Sequence, residues 1–192
     1  MPLPTPKDRE HVHRRKVICD GFQRTDGLWD IEGHLVDTKT HEIPMPDRDG
    51  GIIPVGEALH DMAIRITVDL DLEIHEVVTT MDATPFRYCP SIASTYDQLV
   101  GEKIRPGFTR KVRDLFGSTK GCTHLVELLG PVATTAIQVT FQARMLANDD
   151  PRNAPAQHLL NSCHAYAQDS SVVKTYFNDY YQPMSESIDT TE

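Results

Sequence analysis

Cys89 and Cys122 each stand where a helix is expected to begin, and each heads that helix's apolar stripe. Cys89 precedes Pro90, a residue favoured at the first helical position because its missing N–H would have no partner there, and Ile92, Ala93, Tyr96, Leu99 and Val100 follow. Cys122 follows Gly121, and Leu125, Leu129, Val132, Ala136 and Val139 recur in steps of four and three, the period of one helix face. A thiol at a helix N-terminus feels the positive end of the dipole, which favours the thiolate, the form that binds metals and attacks electrophiles. His60 and Asp61 just precede the strand-like run Met62 to Val68, while His124 and Glu127 are neighbours on the surface of the helix that Cys122 begins.

Thiolate, imidazole and carboxylate together suit a borderline-soft divalent metal, zinc or iron. The expected ligands are His60, Asp61, Cys89 and Cys122, with His60 and Asp61 as alternatives for one position. Three protein ligands leave a fourth position open, and an open zinc site lowers the pKa of bound water and polarises a carbonyl or phenolate oxygen, as in a hydrolase or lyase. His124 and Glu127 are then the catalytic acid/base candidates. Against this stand two plainer readings: buried free cysteines act as small hydrophobes, and His124 and Glu127 make a helix-surface ion pair.

Further acids lie in the first hairpin. Alternating acids on a strand usually mark its solvent face, so Asp30, Glu32 and Asp37 read as a solvated edge, with Asp30 and Glu32 kept as weak pocket candidates. Cys163, beside His164, is a third pocket candidate, as lid or further ligand. Cys19 reads as structural and Trp29 as core.

The chain has 192 residues, a net charge of −9 and four widely spaced cysteines, long enough to bury a core without disulfide staples. The acidic balance argues against a nucleic-acid surface, and the locally basic HVHRRK reads as a solvated strand start. No apolar run is long enough to span a bilayer, so a cytoplasmic protein with reduced thiols is expected, taking a small-molecule substrate. A homo-oligomer is compatible with the sequence.

The elements that must position these residues come strands first, helices after. Residues 1–10 read as a loose leading segment. Strands are expected over Lys16 to Gln23 and Leu28 to Val36, joined by the turn pair Asp26-Gly27, with Trp29, Ile31, Gly33 and Leu35 on one face. A glycine-rich loop (47–57) leads to a second antiparallel pair, Met62–Val68 and Glu73–Met81. Helices are expected over 90–100, 106–116 and 122–147, the last closed by Asn148 to Pro151, then a short helix near 157–162 and a strand or loop near 171–177. This order gives an α+β fold with helices packed on one face of an antiparallel sheet. One domain spans 1–192: an N-terminal hairpin region (15–54), a core (55–147) and a C-terminal extension (148–192).

Two resemblances add to this reading. CPSIASTYDQLVGEKI (89–104) and CTHLVELLGPVATTAI (122–137) resemble the segments that carry the second and third cysteines of the NifU-like and SufE-like iron-sulfur scaffold fold. EALHDMAIRITV (57–68) occupies the place of that fold's cysteine-glycine-aspartate motif, with Asp61 matching the aspartate and His60 as the available ligand where the cysteine is missing. This likeness covers about residues 55 to 147 and implies a metal, cluster or persulfide carrier that serves a partner enzyme. A likeness over nearly the whole chain, in RTDGLWDIEGHLVDTK (24–39), LHDMAIRITVD (59–69), GCTHLVEL (121–128) and CHAYAQDSSVV (163–173), resembles the domain of unknown function 2889 family. Members of that family are often met near genes for aromatic-compound breakdown, which implies a small organic, in particular aromatic, substrate.

Overall fold

In the computed structural model the described residues are 2–147 and 159–183. They fall into two compact units, Met1–Thr140 and Phe141–Glu192. The first is built on a four-stranded sheet in the order β1 (His13–Gln23), β2 (Trp29–Lys39), β5 (Ala58–Val68), β6 (Ile74–Ala83), each neighbour antiparallel. A two-stranded ribbon, β3 (Ile43–Pro44) with β4 (Ile52–Ile53), lies in the β2–β5 connection.

The β1–β2 hairpin follows from its turn. Gly27 takes φ +89, a conformation that costs glycine little, and Asp26 Oδ1 accepts from the Leu28 amide at 3.3 Å. Along β2 the burial alternates, with Ile31, Gly33, Leu35 and Asp37 buried between more exposed neighbours. The inner face of the sheet carries Ile31, Leu35, Met62, Ile64, Ile66 and Val68 in one core with residues of three helical segments. Those segments are a 3-10 helix (Cys89–Leu99), α1 (Phe108–Phe116) and α2 (Thr123–Ala147). α2 lies so close to β2 that a Cβ on Gly33 would meet Val132 Cγ2 at 2.4 Å. The α+β architecture with helices on one sheet face is therefore as expected from the sequence.

Several details differ, among them the start of β5 at Ala58, four residues before the expected Met62, and the end of β2 at Lys39, three after the expected Val36, which place His60 and Asp37 in strands. The 90–100 segment is a 3-10 helix, held in place by buried Tyr96 and Leu99. β1 begins at His13, three residues before the expected start, which brings HRRK (13–16) into the sheet. In the second unit, the expected strand or loop over 171–177 is instead a short helix, α3 (Ser171–Tyr176): Ser170 caps it by accepting from the Val173 amide at 3.1 Å, and the cap overrides the strand preference of Val172 and Val173. Residues 148–151, the expected close of α2, and 157–158 lie outside the described residues; of the helix expected near 157–162, Leu159 is helical, 160–161 form a turn and Ser162 a bend. No helix among the described residues is long and apolar enough to cross a membrane.

Candidate metal centre

Strand register brings the site together. Arg15 is the cross-strand partner of Asp37 in the β1–β2 pair, and Asp37 is the partner of His60 in the β2–β5 pair. The three side chains therefore form a row across the sheet on its helix-covered face. His124 closes the row from the first turn of α2, its ring centroid 3.8 Å from that of His60.

Asp37 is the centre of this group, with a side chain only 1% exposed. Arg15 donates from Nε to Oδ1 and from Nη2 to Oδ2, both at 2.8 Å. His60 Nδ1 lies 3.0 Å from Oδ2, His124 Nε2 lies 3.8 Å from Oδ2, and His13 Nε2 lies 3.3 Å from Oδ1. One ligand atom from each of Asp37, His60 and His124 falls within 4.8 Å of the others, so this is a His2Asp group that could hold a metal ion.

Electrostatics follows from burial and the company of cations. Burial alone would raise the Asp37 carboxyl, but the Arg15 pair and His60 outweigh it and hold the carboxyl below the usual carboxylate range. Burial first, then the neighbouring His124, pushes the His60 imidazole below its ordinary 6.5. His124 is likewise lowered, by burial and then by the Arg15 charge. Both rings are thus biased to the neutral form, which carries a lone pair for a metal.

The same shifts fix a pH dependence in chelator-treated protein. A histidine whose folded pKa lies below its unfolded value binds fewer protons when folded, so its contribution is present above about 6.5 and is lost as pH falls through and below that value. Thermal midpoints are expected to drop as pH falls below about 6.5, and His60→Asn should flatten that drop. A midpoint in the unsubstituted protein that is level down to about pH 5 would contradict the shared burial of the two rings.

The residues singled out from the sequence now have places. His60 and His124 enter the group. Asp61, next to His60 on β5, points to the opposite sheet face because side chains alternate along a strand, and its Oδ1 lies 2.6 Å from His34 Nε2. Glu127 does not reach the imidazoles; it accepts from Arg15 Nη1 at 2.7 Å. Cys89 and Cys122 line one cavity of about 220 Å³ with Tyr88, Ile92, Thr119 and Gly121. Cys122 Sγ lies 3.9 Å from both His124 Nδ1 and Met62 Sδ, so this thiol stands against the back of a ring in the group, and neither sulfur joins the three convergent ligand atoms. Asp30 accepts from Thr67 Oγ1 at 2.6 Å, and Glu32 pairs with Arg65 at 3.8 Å on the outer sheet face. Cys163 is exposed in the second unit, and Cys19 packs against the core, where burial pushes its thiol up.

Asp37 and Arg15 are the members that sequence reasoning missed. The pattern of acids groups Asp37 with Asp30 and Glu32 as solvent-facing, yet its odd number places it on the face of Ile31, Gly33 and Leu35, and this parity is the available signal. Arg15 belongs to a basic run that the sequence marks as solvated, but the same alternation turns it to Asp37.

No curated protein and no solved structure matches the chain. A family does match, over residues 13–138, a stretch that starts at His13 and holds Arg15, Asp37, His60, Cys89, Cys122, His124 and Glu127. The chain belongs to the family described as protein of unknown function, DUF2889.

Proposed function

We propose that Asp37, His60 and His124 hold one divalent metal ion, and that the protein is a metal-dependent enzyme of lyase or hydrolase type acting on a small organic molecule. The observation that carries this reading is the convergence of the three ligand atoms. In a tetrahedral site with metal–ligand bonds near 2.0–2.1 Å, ligand atoms stand roughly 3.3 Å apart. The separations of 3.0 Å and 3.8 Å from Asp37 Oδ2 to the two imidazole nitrogens bracket that edge. Two imidazoles and one carboxylate suit zinc and iron(II), and such a set leaves positions for water and substrate. When bound, the metal supplies an activated water or polarises a substrate oxygen.

The chain's own residues fit that use. Arg15 holds both oxygens of Asp37, as outer partners of a metal-ligating carboxylate do, and fixes its orientation. Glu127 gives Arg15 a second carboxylate, so the negative charge of Asp37 is not spent on Arg15 alone. Cys122 Sγ against His124 Nδ1 leaves Nε2 as the nitrogen facing Asp37. Aromatic substrates agree with the sequence resemblance. A carrier that passes a metal or cluster to a partner enzyme is the competing reading.

Elemental analysis of protein purified without oxygen tests the site. About one zinc or iron per chain is expected, falling to about a tenth or less in His60→Ala and His124→Ala, and staying near its original level in Cys89→Ser and Cys122→Ser. Metal retained in both histidine variants would overturn the site. Turnover of a panel of small esters, lactones and phenols supports the enzyme; rapid loss of the ion to an acceptor protein, with no turnover, supports the carrier.

A further inference from the structure

We infer that Arg15 presents a second, half-filled fork that binds the carboxylate of a small organic acid, with Glu127 as its placeholder. The role of that acid as substrate rests on the metal-site reading above, whereas the binding itself does not. A guanidinium carries five N–H donors in a fixed plane and offers two edges to which a carboxylate can bind through both oxygens. One edge, Nε with Nη2, is filled by Asp37 at 2.8 Å on both bonds. The other edge, Nη1 with the remaining Nη2 hydrogen, holds a single Glu127 oxygen at 2.7 Å from Nη1.

The two carboxylates on Arg15 are not equivalent. Asp37 is 1% exposed and pinned by His60 as well, so it is a permanent partner. Glu127 is 54% exposed, on the surface of α2, with a long side chain free to swing into water. An exposed pair of this kind contributes about 0.2–1 kcal/mol, whereas a carboxylate bound through both oxygens is the stronger geometry. An incoming acid can therefore displace Glu127 at little cost. Arg15 itself is 36% exposed, so this edge is reachable.

A second observation indicates what hangs from that carboxylate. Beside Glu127 lies a groove of about 200 Å³ whose walls are largely apolar, formed by Phe108, Val112, Val126 and Leu129, with Arg113 on its lining. Glu127 lines this groove and also accepts from Arg15, so one side chain joins the apolar surface to the fork. An acid with a compact hydrocarbon body satisfies both features. A dianion such as phosphate is disfavoured, because Asp37 and Glu127 place two further negative charges next to the same guanidinium. The fork shares Asp37 with the imidazole pair, which places a bound acid beside the candidate metal position.

Benzoate is the probe, with acetate and inorganic phosphate for comparison, titrated calorimetrically into the full chain after chelator treatment and again after zinc loading. Glu127→Gln, which removes the competing charge, is expected to bind benzoate about fivefold more tightly than the unsubstituted protein. Arg15→Lys keeps the charge but loses the fork, and is expected to weaken binding by about tenfold or more. Acetate, which lacks the apolar body, should bind about tenfold more weakly than benzoate. Benzoate binding that is absent, unchanged or weaker in Glu127→Gln overturns the proposal, even if Arg15→Lys proves unable to fold; so does phosphate binding more tightly than benzoate. The metal content of the same samples keeps the two readings apart. Tightened benzoate binding in protein that takes up no metal leaves the fork standing and removes the metal site, while normal metal uptake without the Glu127→Gln gain does the reverse.

Discussion

Asp37→Asn should abolish metal retention and lower folding stability by about 2–3 kcal/mol, because it removes the one charge on which the whole group is built. Its carboxylate faces Arg15 on two bonds and stands within reach of three imidazoles. The amide keeps the shape but presents N–H donors to groups that are themselves donors. Breaking a buried ion pair from one side commonly costs about 3–5 kcal/mol, and the lower figure applies here because Arg15 keeps some contact with water and retains Glu127. The paired change Asp37→Leu with Arg15→Met should recover much of the stability and none of the metal. Urea unfolding and elemental analysis read the two effects separately. A loss below about 0.5 kcal/mol in Asp37→Asn would mean that the pair is not the buried anchor described above.

The second large effect is expected far from any ligand atom. Gly33→Val should destabilise the fold by about 2 kcal/mol or more and lower metal affinity as well. The first carbon added at Gly33 would stand 2.4 Å from Val132 Cγ2 and 3.1 Å from Leu128 Cγ, both on α2. Val132 is fully buried and β-branched, so it has no free rotamer into which to retreat. The strain must therefore move the helix away from the strand, and His124 is on that helix while Asp37 is on that strand. Adding Val132→Ala to Gly33→Ala should return part of the lost stability, a coupling that a double-mutant cycle measures directly. Strict additivity of the two changes would show that helix and strand do not meet at this point.

Much of the scaffold was legible because it depends on local signals. The Asp26-Gly27 turn, the alternation of β2 and the apolar stripe of α2 each speak through neighbouring residues. His60 and His124 were legible as chemistry. Their companions were not, since that requires knowing which residues lie opposite one another. The turn fixes the register of β1 on β2, but the β2–β5 pairing is set across a connection from residue 40 to 57 that contains its own small ribbon. Without that register Asp37 and His60 are two residues 23 positions apart, and Asp61 looks as suitable as His60. The apolar stripes that begin at Cys89 and Cys122 point to a shared thiolate site; the two residues line one cavity, while the convergent ligand atoms belong to Asp37, His60 and His124.

Tyr96 holds the start of α2 in an unusual way. Its hydroxyl accepts from the Cys122 amide at 2.9 Å and donates to the Cys122 carbonyl at 3.1 Å, while its ring stacks on Phe116 at 4.5 Å. Burial pushes this phenol up to about 12, so it keeps its proton over the whole range in which proteins are handled. The Cys122 carbonyl also accepts from the Val126 amide at 3.0 Å, so what the phenol supplies is the acceptor that a preceding turn of backbone would otherwise offer the Cys122 amide. The Cys122 amide should consequently be released to solvent isotope only when Tyr96 leaves the core, at the rate of global unfolding rather than of helix-end fraying. The helix that delivers His124 is thus tied to the core at Cys122, the residue before its first, and the place of the imidazole is set by a phenol 28 residues upstream.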